Sequence, residues 1–339
     1  MPEDNSSELL KTTQSLFAEN KGIYATDATE STMAKRMESV GIESTDEVRK
    51  DFREIMLSTP GLSEFVSGVI LNDEIIKQNT KEGKPFAKFV EDMGMMPGIK
   101  VDKKCWDLAN YPGEKTVEGL DGLRERLIEY KDLGAKFTKW RFVVSIGSEI
   151  PTRECIDSNA HATARYAALV QESGMVPIVE PEVLMDGDHD STRCAQTTAL
   201  TLKSVFYHLN EQKVDVKGVI LKTNMALPGK DNKESPKPED VAEQTVEMLK
   251  RSVPEELPGV AFLSGGQSAE DATARLNAIC KLDSLWMTSF SFERALEGPG
   301  MEEWGGKEEN IDKAQEILLE RAKLNSLARQ GKYSSEEGQ

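Results

Sequence analysis

Eight short apolar runs alternate with amphipathic stretches along the chain, and this alternation limits the possible folds more than any other feature. Most runs are apolar on successive residues, which is typical of parallel strands that are buried on both faces. The predicted strands are residues 23–26, 66–71, 97–101, 137–144, 176–180, 217–222, 259–263 and 285–290. Strands that alternate with helices form either a closed (β/α)8 barrel or an open doubly wound sheet.

Helix patterns occupy the intervals between these runs. Leucines and a tyrosine within 120–130 recur at spacings of three and four, which places them on one helical face. Ser44 and Ser268 each open a sequence typical of a helix capping box. A last helix is predicted over about residues 308–328, whereas the glycine-rich segment 297–306 is predicted to be a mobile loop.

Polar residues stand at or just past the ends of the predicted strands. They are Asp27, Lys100, Lys139, Arg141, Glu180, Glu182, Lys222, Ser264 and Ser291. A barrel brings these ends into one ring, where chemistry takes place in that fold. No G-x-G-x-x-G follows the first strand, which weakens the dinucleotide-binding alternative. We therefore predict a single-domain TIM barrel over 21–330, with a polar helical lead-in at 1–20 and a polar, disordered tail at 331–339.

The charge balance excludes several classes of protein. A net charge of −17 over 339 residues leaves no evident basic face for nucleic acid, so a phosphate site must be a local positive island. No apolar stretch approaches the roughly 20 residues that span a bilayer, and the acidic start is unlike a signal peptide. Cys105, Cys155, Cys194 and Cys280 are widely spaced, as suits reduced thiols. We predict a cytoplasmic protein without nucleic-acid or membrane partners.

Metal ligands are scarce in this sequence. His161, His189 and His208 show no H-x-H or HExxH spacing, which disfavours a histidine zinc site. The segment Asp186-Gly-Asp-His-Asp190 has the composition of a turn, with a metal site as the weaker alternative. We predict neither a metal nor a cofactor.

Lys222 ends the apolar run Gly218-Val-Ile-Leu-Lys222, and two further runs end in lysine at Lys100 and near Lys139. An unpaired ammonium at the mouth of a buried strand is costly, so a purely structural protein normally avoids it. Burial favours the neutral amine, which can attack a carbonyl. Lysines on strand ends, with carboxylates at Glu180 and Asp27, indicate a Schiff-base site.

Taken together, the segments resemble the class I fructose-bisphosphate aldolases over about residues 21–333. The matching motifs are Gly98-Ile-Lys-Val-Asp-Lys103, Lys139-Trp-Arg141, Ile178-Val-Glu-Pro-Glu182, Asp186-Gly-Asp-His-Asp190, Leu263-Ser-Gly-Gly-Gln-Ser268, Trp304-Gly-Gly-Lys307 and Asn325-Ser-Leu-Ala328. The resemblance implies reversible cleavage of fructose 1,6-bisphosphate to dihydroxyacetone phosphate and glyceraldehyde 3-phosphate, without a metal. It also implies a homotetramer.

The resemblance assigns a role to each catalytic candidate. It makes Lys222 the Schiff-base lysine and Lys139 the cation beside it. The alternative for Lys139 is a purely structural ion pair with a strand-end carboxylate. Glu180 becomes the general acid and base, and we expect desolvation to raise its pKa. Asp27 orients the lysines and the substrate C4 hydroxyl, unless it is a helix N-cap. Glu182 is expected to pair with the lysines, with a purely structural ion pair as the alternative to a direct role.

Phosphate recognition is expected on both sides of the chemistry. Ser264 and Gly265 follow the seventh strand, where backbone amides and a hydroxyl favour a phosphate. The remaining residues that the resemblance assigns to substrate binding are Ser291 and Arg294, the opposite pair Lys100 and Arg141, and Thr29, Thr32 and Arg36. Lys100 and Arg141 could equally balance neighbouring carboxylates, and Arg36 could be a solvated charge on a surface helix.

The sequence departs from the family at several positions near these sites. Ala28 replaces a glutamate, Ser31 a glycine, and Glu293 a glycine whose amide approaches phosphate in the family. We expect the Glu293 carboxylate to point outward, since an inward one would repel an anionic ligand. The resemblance also stops at Tyr333, short of the tyrosine-ended tail of animal-type members, so enamine protonation is expected to use another group.

Two alternatives remain at this stage. The departures favour a Schiff-base aldolase with a shifted preference among ketose phosphates. A second hypothesis concerns a different class of protein, an aldolase-like scaffold that binds other macromolecules. A scaffold would not need all four of the catalytic candidates Lys222, Lys139, Glu180 and Asp27.

Overall fold

A closed barrel of eight parallel strands forms the centre of the structure, a computed structural model that describes residues 3–334, with side chains from residue 6 onward. The strands are Gly22–Ala25 (β1), Val66–Leu71 (β2), Met96–Lys100 (β3), Lys104–Asp107 (β4), Lys115–Glu118 (β5), Phe137–Val144 (β6), Val176–Val183 (β7), Ile220–Thr223 (β8), Gly259–Phe262 (β9) and Met287–Phe292 (β10). The barrel order is β1-β2-β3-β6-β7-β8-β9-β10, and β10 pairs with β1 to close it.

Helices pack around this barrel and cover its outer face. They are Glu3–Leu16 (α1), Glu30–Ser39 (α2), Asp46–Leu57 (α3), Asp73–Ile76 (α4), Phe86–Asp92 (α5), Leu123–Asp132 (α6), Arg153–Glu172 (α7), Ser191–Glu211 (α8), Pro238–Lys250 (α9), Ala269–Cys280 (α10), Arg294–Trp304 (α11) and Ile311–Arg329 (α12). Short 3-10 turns occupy Leu62–Glu64, Val216–Gly218 and Glu308–Asn310. The predicted (β/α)8 TIM barrel is confirmed.

Alternate residues of each strand point into the barrel, and on several strands their character changes from apolar to charged toward the carboxyl end. On β6 the inward positions run from Phe137 to Lys139 and Arg141. On β8, Ile220 belongs to the inner apolar cluster and Lys222 lines the cavity above it. The apolar layer therefore fills one end of the barrel, and the charged positions meet at the carboxyl ends of the strands.

Helix α1 closes the amino-terminal end of this apolar layer. Leu9, Leu16 and Phe17 are buried in the inner cluster with the first inward residues of the strands. Glycine gives them room, because a Cβ on Gly68 would come 2.5 Å from Leu16, and one on Gly259 would come equally near Phe17. The segment described from the sequence as a lead-in thus supplies core side chains.

Most predicted strands are confirmed to within two residues at their starts, and the errors have local causes. The segment 217–222 begins as a 3-10 turn, and the antiparallel pair of β4 and β5 was not predicted. The prediction of a mobile loop at 297–306 is wrong, because α11 continues to Trp304, where its apolar residues pack into the core.

Helix starts agree with the capping patterns, with one shift. Ser268 caps α10, since its Oγ accepts a hydrogen bond from Asp271 N at 3.1 Å. For α3 the predicted cap at Ser44 is one residue early, because Thr45 Oγ1 accepts from Val48 N at 3.2 Å. The tail prediction for 331–339 falls in part outside the described residues, which end at 334. Within the described chain, no helix combines the length and apolarity needed to cross a bilayer.

Candidate active site

The carboxyl ends of the barrel strands surround a cavity of about 250 Å³. It is lined by every residue that the sequence predicted for the site, namely Asp27, Thr29, Thr32, Arg36, Lys100, Lys139, Arg141, Glu180, Glu182, Lys222, Ser264, Gly265, Ser291 and Arg294. Ala28, Leu263 and Glu293 line it as well. Six cationic and four carboxylate side chains belong to this lining, in a chain whose net charge is −17. The cavity is therefore a local positive region, which suits an anionic ligand.

Glu180 lies between two buried lysines. Its Oε1 is 3.0 Å from Lys222 Nζ, and its Oε2 is 3.0 Å from Lys139 Nζ. Lys139 Nζ also lies 2.5 Å from Asp27 Oδ2. All four residues are at least 96% buried, with exposed fractions of 2% to 4%. They form one buried ion cluster in which each ammonium has a carboxylate within hydrogen-bond distance.

The charges of this cluster hold Glu180 ionised. Burial by itself raises the pKa of Glu180, but Lys139, Lys222 and Arg141 outweigh it and lower the pKa to about 2. The expectation of a raised pKa is wrong, because it counted desolvation without these cations. Burial opposes the charge of Lys139, whereas Asp27 and Glu180 raise its pKa above the ordinary value. At neutral pH the pair is a carboxylate and an ammonium.

Lys100, Arg141 and Glu182 lie on the wall formed by β3, β6 and β7. Lys100 Nζ pairs with Asp102, and Arg141 Nε lies 2.6 Å from Glu182 Oε2. The expectation that Glu182 pairs with the lysines is wrong, because Glu182 is one inward position beyond Glu180, where Arg141 reaches it. Lys100 and Arg141 therefore each pair with a carboxylate, as one of the two alternatives from the sequence had it. Both side chains also line the cavity.

A tight turn after β9 forms another part of the wall. Gln267 N donates to Ser264 O at 3.0 Å, and Gly266 has φ +77°, a left-handed conformation that favours glycine. A Cβ on Gly265 would come 2.5 Å from Glu182 Oε1, so the turn packs closely against that carboxylate. The turn leads into α10, and amides at a helix amino terminus favour an anion.

Ser291 and Arg294 border the same side of the cavity. Ser291 is 1% exposed, and its Oγ has no hydrogen-bond partner among the described residues. Buried hydroxyls are almost always paired, so an orphan one on a cavity wall is a candidate for binding a ligand. Arg294 is exposed at the first residue of α11, where it adds a positive charge at the rim.

A buried arginine holds the segment that follows β1. Arg53 donates from Nε to Thr26 O at 3.0 Å and from Nη2 to Ala28 O at 3.2 Å. Thr29 caps α2, and its Oγ1 accepts a backbone N–H of the first turn at 3.4 Å. Asp27 is therefore not the helix cap that the sequence left open; its carboxylate belongs to the lysine cluster.

The Glu293 side chain turns into the cavity. Its Oε1 lies 2.9 Å from Arg36 Nη1, and its Oε2 lies 3.1 Å from Arg36 Nη2. The expectation that Glu293 points outward is wrong, because this ion pair, with one charge-assisted hydrogen bond, offsets the cost of burying the carboxylate. Arg36 is likewise no freely solvated charge, since 21% of its side chain is exposed.

Tyr24 and Glu297 extend this ion pair into the core, and sequence reasoning missed both. Glu297 Oε1 lies 3.6 Å from Arg36 Nη1, and its Oε2 accepts a hydrogen bond from Tyr24 Oη at 2.6 Å. Burial, with the neighbouring Glu293 carboxylate, raises the pKa of Glu297 to about 7 against the opposing charge of Arg36. The four-residue spacing of Glu293 and Glu297 was the available signal, but Glu297 lay at the start of a segment predicted to be a loop.

The lysine cluster has the groups that amine catalysis requires. A carboxylate that contacts an ammonium can accept its proton, which leaves a neutral amine able to add to a carbonyl. A second, permanently charged lysine stabilises negative charge that develops nearby. The arrangement therefore suits Schiff-base chemistry on an anionic substrate.

The predicted turn at 186–190 has a structural explanation. Asp190 caps α8, and its Oδ1 accepts a hydrogen bond from Arg193 N at 2.6 Å. Among the side chains described, those of residues 6–334, no group of three or more His, Cys, Asp or Glu residues is placed so that it could hold a metal ion.

The chain is similar to known proteins over nearly its whole length. The family model for "Fructose-bisphosphate aldolase class-I" matches residues 8–339. A probable fructose-bisphosphate aldolase class 1 of Xanthomonas campestris pv. campestris is 53% identical over 328 residues, which cover 96% of this chain and 98% of that protein. The cytosolic fructose-bisphosphate aldolase 5 of Arabidopsis thaliana is 47% identical, with coverage of 97% and 92%.

The fold comparison agrees with the sequence comparison. The fructose-bisphosphate aldolase of Plasmodium falciparum, solved in complex with TRAP and a small-molecule inhibitor, matches with a TM-score of 0.96 and 42% identity. The match covers 99% of this chain and 97% of that one. The chain therefore belongs to the class I fructose-bisphosphate aldolase family and is an aldolase, a carbon–carbon lyase.

Proposed function

We propose that Lys222 is the Schiff-base amine through which this aldolase reversibly cleaves fructose 1,6-bisphosphate to dihydroxyacetone phosphate and glyceraldehyde 3-phosphate. The contact between Lys222 Nζ and Glu180 Oε1, 3.0 Å long and buried at the carboxyl ends of the strands, carries this proposal. The family membership supports the substrate, and the positive cavity supports binding of a doubly phosphorylated sugar.

Glu180 acts as the general acid and base of the reaction. It accepts a proton from Lys222, and the neutral amine adds to the ketose carbonyl to form a carbinolamine. Glu180 returns the proton to the carbinolamine hydroxyl, which leaves as water and gives a protonated imine. Glu180 then accepts the proton of the C4 hydroxyl, the C3–C4 bond breaks, and its electrons enter the imine to give an enamine and an aldehyde. Protonation of the enamine and hydrolysis of the imine release dihydroxyacetone phosphate and restore the amine.

Lys139 and Asp27 support these proton transfers. The Lys139 ammonium, 3.0 Å from Glu180, stabilises the negative charge that forms as the carbonyl is attacked. Asp27 holds Lys139 at 2.5 Å and orients the substrate C4 hydroxyl. We assign one phosphate to Ser264, Gly265, Ser291 and Arg294, and the other to Lys100 and Arg141, with Glu182, Thr29, Thr32 and Arg36 completing the binding surface.

A second candidate function is an aldolase that prefers another ketose phosphate. The observation that favours it is the Glu293 carboxylate on the cavity wall, where it reduces the positive charge available to a second phosphate. Values of kcat/KM for fructose 1,6-bisphosphate and fructose 1-phosphate separate the two candidates. A preference for the monophosphate would favour the second one.

The Schiff base is tested by borohydride reduction in the presence of dihydroxyacetone phosphate, followed by peptide mass spectrometry. We expect a three-carbon phosphate adduct on Lys222, and its loss in Lys222→Arg. Lys217→Arg, at an exposed lysine five residues away, is the matched control and should keep the adduct. Absence of any adduct on the folded wild-type protein would contradict the proposal.

We further propose a cytoplasmic homotetramer. The family resemblance supports the assembly, and four free cysteines support a reducing compartment. The relatives include both cytosolic and chloroplastic proteins of Arabidopsis thaliana, so the names alone leave the compartment open. Light scattering on a size-exclusion column tests the assembly, and a monomer mass at micromolar concentration would contradict it.

A further inference from the structure

The Arg36 guanidinium has the geometry of an anion site, and a carboxylate of the chain already fills it. Both terminal nitrogens of Arg36 contact Glu293, at 2.9 Å and 3.1 Å. A phosphate or sulfate can contact the same two terminal nitrogens of a guanidinium. Glu293 therefore occupies the position that an anionic group of a ligand would take on Arg36.

Both members of this pair are accessible from the cavity. They belong to its lining, and their side chains are 21% and 24% exposed, so a ligand can reach them. Burial opposes ionisation of Glu293, whereas Arg36 lowers its pKa and keeps the carboxylate charged. Arg36 is thus neutralised in the ligand-free protein.

A second carboxylate prevents a simple rearrangement of the pair. Glu297 Oε1 lies 3.6 Å from Arg36 Nη1, and the residue is 1% exposed and does not belong to the lining of the cavity. Tyr24 Oη fixes this carboxylate with a 2.6 Å hydrogen bond. Arg36 thus contacts two carboxylates, and Glu293 is the one that lines the cavity, where a ligand would approach.

We propose that Glu293 is a specificity-determining residue, an internal anion that competes with an anionic group of the ligand for Arg36. The inference rests on the proposed function for the nature of the ligand, a sugar phosphate. A ligand must either displace Glu293 from Arg36 or bind without this arginine, and both routes weaken binding at this end of the cavity. A neutral residue at position 293 leaves the guanidinium open.

Calorimetric titration with inorganic sulfate tests the competition, because sulfate keeps its charge at neutral pH. Glu293→Gln preserves the shape of the side chain and removes its charge. We expect sulfate to bind roughly tenfold more tightly, as one charge-assisted contact becomes available. The KM for fructose 1,6-bisphosphate should fall in the same variant. As a control, Glu302→Gln changes an exposed glutamate on α11, the helix that begins after Glu293, and its sulfate affinity should match that of the wild type.

Substitution of Arg36 identifies the group that captures the sulfate. In the otherwise wild-type protein, Arg36→Met should not strengthen sulfate binding, because it leaves the Glu293 carboxylate without its cationic partner on the cavity wall. In the Glu293→Gln background, the same substitution should abolish the gain. A gain that persists without Arg36, or a Glu293→Gln variant that binds sulfate no better than the wild type, would overturn the proposal.

Borohydride trapping on Lys222, run on each variant, keeps this result separate from the proposed function. If every variant is trapped and sulfate affinity does not change, the competition fails while the Schiff base stands. If the wild type is not trapped, the Schiff base fails, and the sulfate titration still decides the competition. Thermal unfolding of each variant confirms that the titrated protein is folded.

Discussion

At the scale of single residues, pairing of opposite charges is the common feature of this site. Lys222, Lys139, Arg141 and Arg36 each contact a carboxylate, so the buried charges are compensated in the ligand-free protein. A carboxylate that pairs with a cationic side chain can also accept its proton, or a ligand can displace the carboxylate. The pairing thus stabilises the cavity and supplies its chemistry.

Glu180 should be the most sensitive carboxylate for turnover. Replacing it by glutamine removes the proton acceptor beside Lys222, and we expect kcat to fall by roughly 10² to 10⁴, the range for a general acid or base. Steady-state kinetics measure the effect. Glu211→Gln, at an exposed position, is the control. A fall in kcat of less than roughly threefold would argue against a catalytic role for Glu180.

Glu297 should make stability depend on pH in a defined direction. Its folded pKa of about 7 lies above the ordinary 4.5, so its neutral form stabilises the fold at low pH. This contribution is present below about pH 4.5 and is lost as the pH rises through about 7. Glu293 and Arg36, with Tyr24 and Arg53, are the ionisable groups that face it.

The Glu297→Gln variant isolates this effect, because glutamine cannot ionise. Relative to the variant, the wild type should lose melting temperature as the pH is raised from about 4.5 to about 7. Differential scanning fluorimetry at a series of pH values measures the difference. Parallel pH profiles for the two proteins would refute the buried, proton-binding carboxylate.

At the scale of elements, the amino-terminal helix completes the barrel. The inward residues of the strands near their starts are apolar, and side chains of α1 and the residue after it cover them. The glycines at the starts of β2 and β9 leave space for these side chains. Helix α1 therefore belongs to the same packing unit as the strands.

Leu16→Ala should destabilise the fold, because Leu16 is completely buried against the barrel. A buried leucine replaced by alanine costs about 2–5 kcal/mol of unfolding free energy through lost contacts and a residual cavity. Urea unfolding measures the change, and Lys11→Ala on the exposed face of α1 should stay close to the wild type. A cost near zero would mean that α1 does not plug the barrel.

At the scale of the whole molecule, the described chain is one barrel whose outer core continues around the closed sheet. Buried side chains from α2 through α12 form a single apolar cluster, and β10 pairs with β1. Every strand of the barrel therefore has a hydrogen-bonded neighbour on both sides. The negative surface charge of the molecule and the positive cavity are two properties of the same chain.

Unfolding should accordingly be a single cooperative transition. Tryptophan fluorescence and far-ultraviolet circular dichroism should give coincident urea curves, because secondary and tertiary structure are lost together. The signal comes from several parts of the fold, since Trp140 lies on β6 and Trp304 ends α11. Two separated transitions would show that part of the barrel unfolds independently.

The sequence predicted the catalytic end of the barrel well and its electrostatics poorly. The apolar runs and the polar residues at their ends placed Lys222, Glu180 and Asp27 at one rim, because parallel strands end together. The same runs could not show that Glu180 contacts two lysines, which lowers its pKa to about 2. Pairing across neighbouring strands depends on register, and a single strand does not contain it.

The sequence by itself determined that parallel strands alternate with helices, since runs that are apolar on successive residues are typical of strands buried on both faces. It also determined the charged ends of the strands and, through its motifs, the family. The tertiary structure decided that Glu293 turns inward to Arg36 and that the glycine-rich segment 297–306 is helical to Trp304. Both outcomes depend on partners distant in the chain, whose burial and charge outweigh local preference.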